Sequence, residues 1–240
     1  MSLLELHTRS LALAAEVITT VQPEQLVLAT PCAGWTLRRL LEHVVGQHRG
    51  FAAAARGAGS DRALWRDVPV DGDPAGAFRR SAEELTAAFT EAHATAGREL
   101  WLPEIRDGGP FPLRQAVGFH LLDTLVHAWD VAAALGVPKG IAEAVDGEER
   151  LAAALLSVAG LVPAAPADRA PGRAFRERRQ QADGAGPFDR ALALLGRDPA
   201  WTPPAGPGPG SAPVALLVGE ARSADQEEQR GDRKADRGGQ

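Results

Sequence analysis

Apolar residues recur at helical spacing along most of the first 200 positions, and proline and glycine mark the breaks between the periodic runs. Leu3, Leu4, Leu11, Ala14, Val17 and Ile18 share a face of residues 2–21, which contain no Gly or Pro, so the pattern predicts a first helix there. The next stretch is interrupted by Pro23, Pro31 and Gly34. Thr36 then stands where an N-cap belongs, its hydroxyl able to accept from an unpaired N–H of the first turn, and the run behind it predicts a second helix over 37–56. After a Gly- and Asp-rich interval, Phe78, Leu85 and Phe89 among many charges predict an amphipathic third helix over 75–98. Trp101 and Ile105 with the breaker Gly108-Gly109-Pro110 predict a short extended excursion or a hairpin. A fourth helix is expected over 113–135, stopped by Gly136 and Pro138, a fifth over 141–160, and a short last one over 188–201. Helices outweigh strands and no internal repeat is visible. Four long helices of similar length predict a mainly all-α fold, a four-helix bundle with short extra C-terminal helices.

Beyond Trp201 the pattern is lost. TPPAGPGPGSAP is a Pro/Gly linker, and the residues after it are charged and nearly free of large apolar side chains. The chain therefore reads as a bundle over 1–202 and a mostly disordered tail over 203–240, with VALLV at 214–218 as a transient exception.

Composition narrows the function classes. At 240 residues, 45% hydrophobic and 24% charged, the chain can bury one sizeable core but hardly two. A formal charge of −5 leaves no basic surplus for a phosphate backbone or an anionic membrane, so nucleic acid is not an expected partner. No apolar run approaches the roughly 20 residues that span a bilayer. The amino terminus, MSLLELHTRS, lacks the basic start and cleavage site of a signal peptide, which makes a cytoplasmic location the expectation. A single cysteine, Cys32, excludes an internal disulfide and a multi-cysteine zinc site.

The candidate chemistry lies on two of the expected helices. Asp123 and His127 are four apart, one above the other on one helix face, where a divalent metal could bridge them. His43, in the middle of the second helix, could supply a third ligand and leave a coordination position open. The plainer alternatives are a helix-surface ion pair for Asp123 and His127, and a hydrogen-bonded core histidine for His43. Gln47 lies one turn from His43 on the same face. His120 faces much the same way as the Asp123/His127 pair and is open to four readings: fourth ligand, general acid/base, a group that supports a ligand from behind, or a pocket-rim residue without a chemical role. Asp130 is expected to anchor a neighbouring helix through an arginine such as Arg38, with orientation of a ligand as the alternative. Cys32 follows a proline and precedes a helix start, a place that can activate a thiol, with simple packing as the plainer reading. Trp129 should lie off the metal face, and His7, His48 and His93 are expected to be solvated. The RAFRERR stretch, 173–179, reads as a solvated loop or as an anion-binding one.

Three blocks carry a resemblance to a known family: TPCAGWTLRRLLEHVVGQH (30–48), LLDTLVHAWDVAAALG (121–136) and LALLGRDPAW (192–201). Together they resemble the actinobacterial branch of the DinB-like, mycothiol-dependent maleylpyruvate isomerase superfamily over roughly residues 3–201. The resemblance implies a DinB-type bundle with a divalent metal, usually zinc, held by His43, Asp123 and His127. Asp123 is a methylene shorter than the glutamate often found at that position. The resemblance further implies that a low-molecular-weight thiol such as mycothiol binds the metal as thiolate and adds to a small electrophile, permitting isomerisation, addition or transfer. Gln47 and His120 would shape the pocket, and the protein would act as a monomer or homodimer. The superfamily's full isomerases resemble a two-part architecture, which the short C-terminal region here does not match, so maleylpyruvate itself is not the expected substrate. A zinc-water hydrolase or lyase, or a non-catalytic metal- or ligand-binding bundle acting as sensor, carrier or stress-response module, are the alternatives.

Overall fold

The computed structural model describes residues 1–70, 72–105, 108–170 and 174–204. Met1–Pro204 make up one compact unit. The expected tail lies outside the described residues from 205 onward, as does the VALLV stretch. Seven α-helices follow in chain order: α1 (Leu3–Ile18), α2 (Leu37–Ala55), α3 (Pro74–His93), α4 (Leu113–Ala134), α5 (Lys139–Asp146), α6 (Glu149–Leu161) and α7 (Pro187–Leu194). The hairpin is present as β1 (Glu99–Leu102) antiparallel to β2 (Gly109–Pro112), with Leu100 opposite Phe111. Single 3-10 turns at Pro23–Val27, Arg62–Trp65 and Pro166–Arg169 had no signal strong enough to predict them.

Local chemistry accounts for the helix starts. Ser2 and Glu5 form a capping box on α1, Thr36 Oγ1 accepts from Arg39 N on α2, and Asp73 Oδ1 accepts from Gly76 N at 2.7 Å on α3. In the bundle α1 packs chiefly on α4 and α2 on α3, and α1–α3 and α2–α4 contacts close it. The fourth helix is apolar almost all the way round because it is buried almost all the way round: Leu121, Leu125, Ala128, Val131 and Ala132 are all at 0% exposure.

One expected helix is two. The run predicted over 141–160 breaks at Gly147 and Glu148. Glycine weakens the helix there, and two side chains of the break are used elsewhere. Asp146 Oδ1 accepts from Phe188 N at 2.8 Å, capping α7, and Glu148 Oε1 accepts from Arg9 Nε at 2.8 Å on α1. The last helix stops at Leu194 rather than 201 because Gly196, at φ 79°, turns the chain. Its N–H reaches Ala193 O and that of Arg197 reaches Leu192 O, the paired bonds of a Schellman motif.

Candidate metal centre

The middle of α2 and the carboxyl half of α4 face each other at one end of the bundle, and His43, Asp123 and His127 meet there. One ligand atom from each lies within 4.8 Å of the other two. His127 Nε2 is 3.3 Å from Asp123 Oδ1, and the His43 and His127 rings stand edge to face with centroids 5.4 Å apart. The side chain of His127 is nearly enclosed, while those of His43 and Asp123 keep 21% and 27% of their surface, so the group opens to solvent on one side. Trp35, at the start of α2, covers the other edge of His43 at 5.0 Å.

Each histidine has a carboxylate on its second nitrogen. His127 Nδ1 is 2.9 Å from Asp130 Oδ2, and His43 Nδ1 is 3.5 Å from Asp67 Oδ1. Donation of His127 Nδ1–H to Asp130 fixes the tautomer that directs its Nε2 lone pair outward, the usual support of a metal-bound histidine, while Asp67 adds a longer ion-pair contact beside His43. Asp67 is brought in by close backbone packing. The 66–68 segment lies on α2 at Gly46, where an added Cβ would sit 2.6 Å from Arg66 O, and Val68 N donates to Glu42 O at 3.0 Å. Gly50, one turn on, admits the ring of Trp65, which anchors the same segment.

Electrostatics suit a cation. Burial disfavours the charge of Asp123, but His127 and then His43 outweigh it and hold its carboxyl well below the ordinary range. Burial likewise opposes charge on His127, yet Asp123, Asp130 and Cys32 hold its pKa well above the ordinary value. His43 is pushed down by burial and by His127. Asp123 is thus held in its charged form beside His127, as a cation site requires. Two imidazoles and a carboxylate are a common zinc donor set, and the residues present fit such an ion.

The remaining predicted residues divide. Gln47 is 5% exposed and donates from Nε2 to Glu104 Oε2 at 2.9 Å, a partner from the turn after β1 that the sequence did not signal. His120 is at 0% exposure, which rules out the rim reading. It shares the metal face of α4 but lies about 10 Å along the axis from His127, at 1.5 Å per residue, and so deeper in the bundle. There its Nδ1 meets His7 Nε2 at 2.9 Å and Thr124 Oγ1 at 3.1 Å. His7 and His48, expected in solvent, are buried at 0% and 1%. His48 Nδ1 bonds Ser81 Oγ at 2.8 Å. Short-range pattern could not show this, because the polar partners of His7 and His48 come from other helices, His120 from α4 and Ser81 from α3. His93 is exposed, and Trp129 is core.

Asp130 meets an arginine as expected, but the arginine is Arg197, in the turn after α7, and Asp130 also lies against His127. It is fully buried and bonds His127, while Arg197 donates Nε to Oδ1 at 3.0 Å and Nη2 to Oδ2 at 2.9 Å. Cys32 Sγ completes the cluster, 3.3 Å from Asp130 Oδ2. Cys32, His127 and Asp130 form a second group whose ligand atoms lie within 4.8 Å, but Asp130 is already neutralised by Arg197 there. In the RAFRERR stretch, Arg178 donates to Val162 O and Arg179 to Asp198 Oδ2; Arg173 lies outside the described residues.

The fold is a DinB-like helical bundle, and its candidate site gathers His43, Asp123 and His127. Residues 5–132 match the model of the mycothiol maleylpyruvate isomerase N-terminal domain, and the chain belongs to that family. Two uncharacterized proteins of Mycobacterium tuberculosis, MT0763 and Rv0738, are each 31% identical to it over 191 residues, 80% of this chain and 95% of theirs. A crystal structure of a mutant of the mycothiol-dependent maleylpyruvate isomerase superposes with a TM-score of 0.51 at 14% identity, over 66% of this chain and 68% of that one, a likeness of fold. Among the described residues no helix is long and apolar enough to cross a membrane.

Proposed function

We propose that this chain is a zinc protein that activates a low-molecular-weight thiol such as mycothiol for isomerisation, addition or transfer on a small electrophilic substrate. The supporting observation is the donor set itself: His43, Asp123 and His127 converge on one open-sided point, with a carboxylate behind each imidazole. A zinc ion with three protein ligands is a Lewis acid that favours the deprotonated form of a bound thiol. The chain's own residues do the rest. Asp130 and Asp67 orient the two histidines, Asp123 supplies the negative charge, and Trp35 shields His43 from water on its free edge. Gln47, held by Glu104, sets a polar group one turn of α2 from His43. His120, closed off with His7 and His48, holds α4 against α1 and α2 and touches no substrate. The solved relative is mycothiol-dependent by its name; thiol dependence is carried over from it, and its substrate is not.

Elemental analysis of protein purified without chelator tests the metal. Near-stoichiometric zinc in the wild type, lost in both Asp123→Ala and His127→Ala, is the expected result, followed by thiol-dependent turnover across a panel of small electrophiles. A wild type that holds no metal and refuses added zinc, nickel and manganese would overturn the proposal.

A further inference from the structure

The metal ligands and the family match both end by residue 132, yet the most completely bonded side chain at the site is held from residue 197. Asp130 Oδ2 lies 2.9 Å from His127 Nδ1, 2.9 Å from Arg197 Nη2 and 3.3 Å from Cys32 Sγ, and Oδ1 lies 3.0 Å from Arg197 Nε. The carboxylate is at 0% exposure and the arginine side chain at 11%, so the bidentate pair works in a water-poor environment where its geometry is firmly held. Arg197 reaches it by local design. The Schellman turn at Gly196 reverses the chain after α7, and a Cβ at Gly196 would sit 2.6 Å from Glu177 O, so only glycine lets the turn nest against the 176–177 backbone.

We infer that Arg197 is a positioning residue of the metal centre: it pins Asp130 so that Asp130 holds His127 with Nδ1 protonated and Nε2 free for the metal. This rests on the zinc reading above. Two consequences separate it from a merely structural ion pair. The segment after α4 acts as a brace of the site, so a chain cut back to the family-matched residues would lose metal affinity along with Asp130's anchor. Arg197 also neutralises Asp130, so the carboxylate orients His127 without drawing the Nδ1 proton fully to itself. Lysine could restore the charge but not the two-pronged contact.

The test is zinc affinity, measured by chelator competition on full-length protein shown to be folded by circular dichroism, together with the His127 Nδ1–H signal in nitrogen-correlated NMR of the zinc-loaded form. Arg197→Gln is expected to weaken zinc about 10- to 100-fold, the range for outer partners of metal ligands, and to weaken or lose the Nδ1–H signal. Arg197→Lys should recover only part of both. The double variant Arg197→Gln/Asp130→Asn should bind no more weakly than Asp130→Asn alone, since Arg197 acts through Asp130. Arg179→Gln, which removes the Asp198 partner in the same segment, should bind as the wild type does. Unchanged affinity and an unchanged Nδ1–H signal in Arg197→Gln would overturn the inference while leaving the zinc site intact. Equal weakening in Arg179→Gln would also overturn it. A wild type that binds no zinc would instead sink the reading on which it rests.

Discussion

The two histidines of the donor set are backed unequally, and that inequality makes a prediction at the level of single residues. Asp130 is enclosed and 2.9 Å from its histidine, whereas Asp67 has 42% of its side chain exposed and stands 3.5 Å from His43. An exposed, long contact is screened by water and contributes little. Asp67→Ala should therefore weaken zinc binding by less than about tenfold, and Asp130→Ala by more, within the roughly 10- to 100-fold range of such partners. Isothermal titration of both variants decides it; equal losses would mean that orientation of His43 matters as much as that of His127. The sequence showed the candidate ligands and not these partners for a physical reason. Asp123 and His127 are joined by one turn of helix, a short-range fact, and His43 by its place on an apolar helix. Asp67 and Arg197 reach the site through a glycine packed under a backbone and a turn 67 residues from Asp130, and neither leaves a periodic trace.

Among the elements, α2 shows how packing overrides propensity. Alanine is normally favoured over glycine in a helix interior by about 1 kcal/mol. At Gly46 the added methyl would meet Arg66 O at 2.6 Å, and at Gly50 it would lie 2.4 Å from the buried Trp65 ring. Overpacking of this kind costs roughly 1–3 kcal/mol, enough to reverse the propensity gain. Both Gly46→Ala and Gly50→Ala are thus expected to lower stability by about 1–2 kcal/mol in urea unfolding. Both should also loosen Asp67 from His43 and weaken zinc slightly, Gly46→Ala the more because it meets the backbone next to Asp67 and Gly50→Ala only the Trp65 ring that anchors the segment. Stabilisation by either substitution would show that the 62–68 segment does not depend on α2 for its place. The helices themselves were legible almost to the residue at their starts, since Ser2, Thr36 and Asp73 cap them through local bonds. The break between α5 and α6 was not, because Asp146 and Glu148 answer to α7 and α1 rather than to their own helix.

For the molecule as a whole, the buried histidines set how it responds to acid. His7, His48 and His120 come from three helices to one enclosed cluster walled by Phe51, Phe78 and Phe89. Nδ1 of His7 and Nε2 of His48 and His120 have no hydrogen-bond partner among the described residues, so the cluster suits neutral rings. Burial, aided by mutual repulsion with His48, holds His7 at about 3; burial holds His48 at about 4; and burial, with His7 and His48, keeps His120 well below its ordinary value. In the unfolded chain all three titrate near 6.5. Below that pH the unfolded state binds protons that the folded state refuses, so stability falls as pH falls, down to the folded values. Each histidine contributes a slope of about 1.4 kcal/mol per pH unit, and three together about 4. That is a large fraction of a typical stability of about 5–15 kcal/mol for each pH unit, so the metal-free protein is expected to lose stability steeply below about pH 6.5. His127 acts with the opposite sign, since its raised pKa gives stability that is complete below 6.5 and is lost as pH rises through the folded value, so the metal-free optimum falls close to 6.5. His7→Leu removes one depressed imidazole while leaving Thr124 as the partner of His120 Nδ1. Its stability, followed by denaturant unfolding between pH 6.5 and 4.5, should fall with a slope shallower than the wild type by about 1.4 kcal/mol per pH unit. An unchanged slope would show that His7 is not held neutral in the core, and that the acid response belongs to the carboxylates around the metal centre.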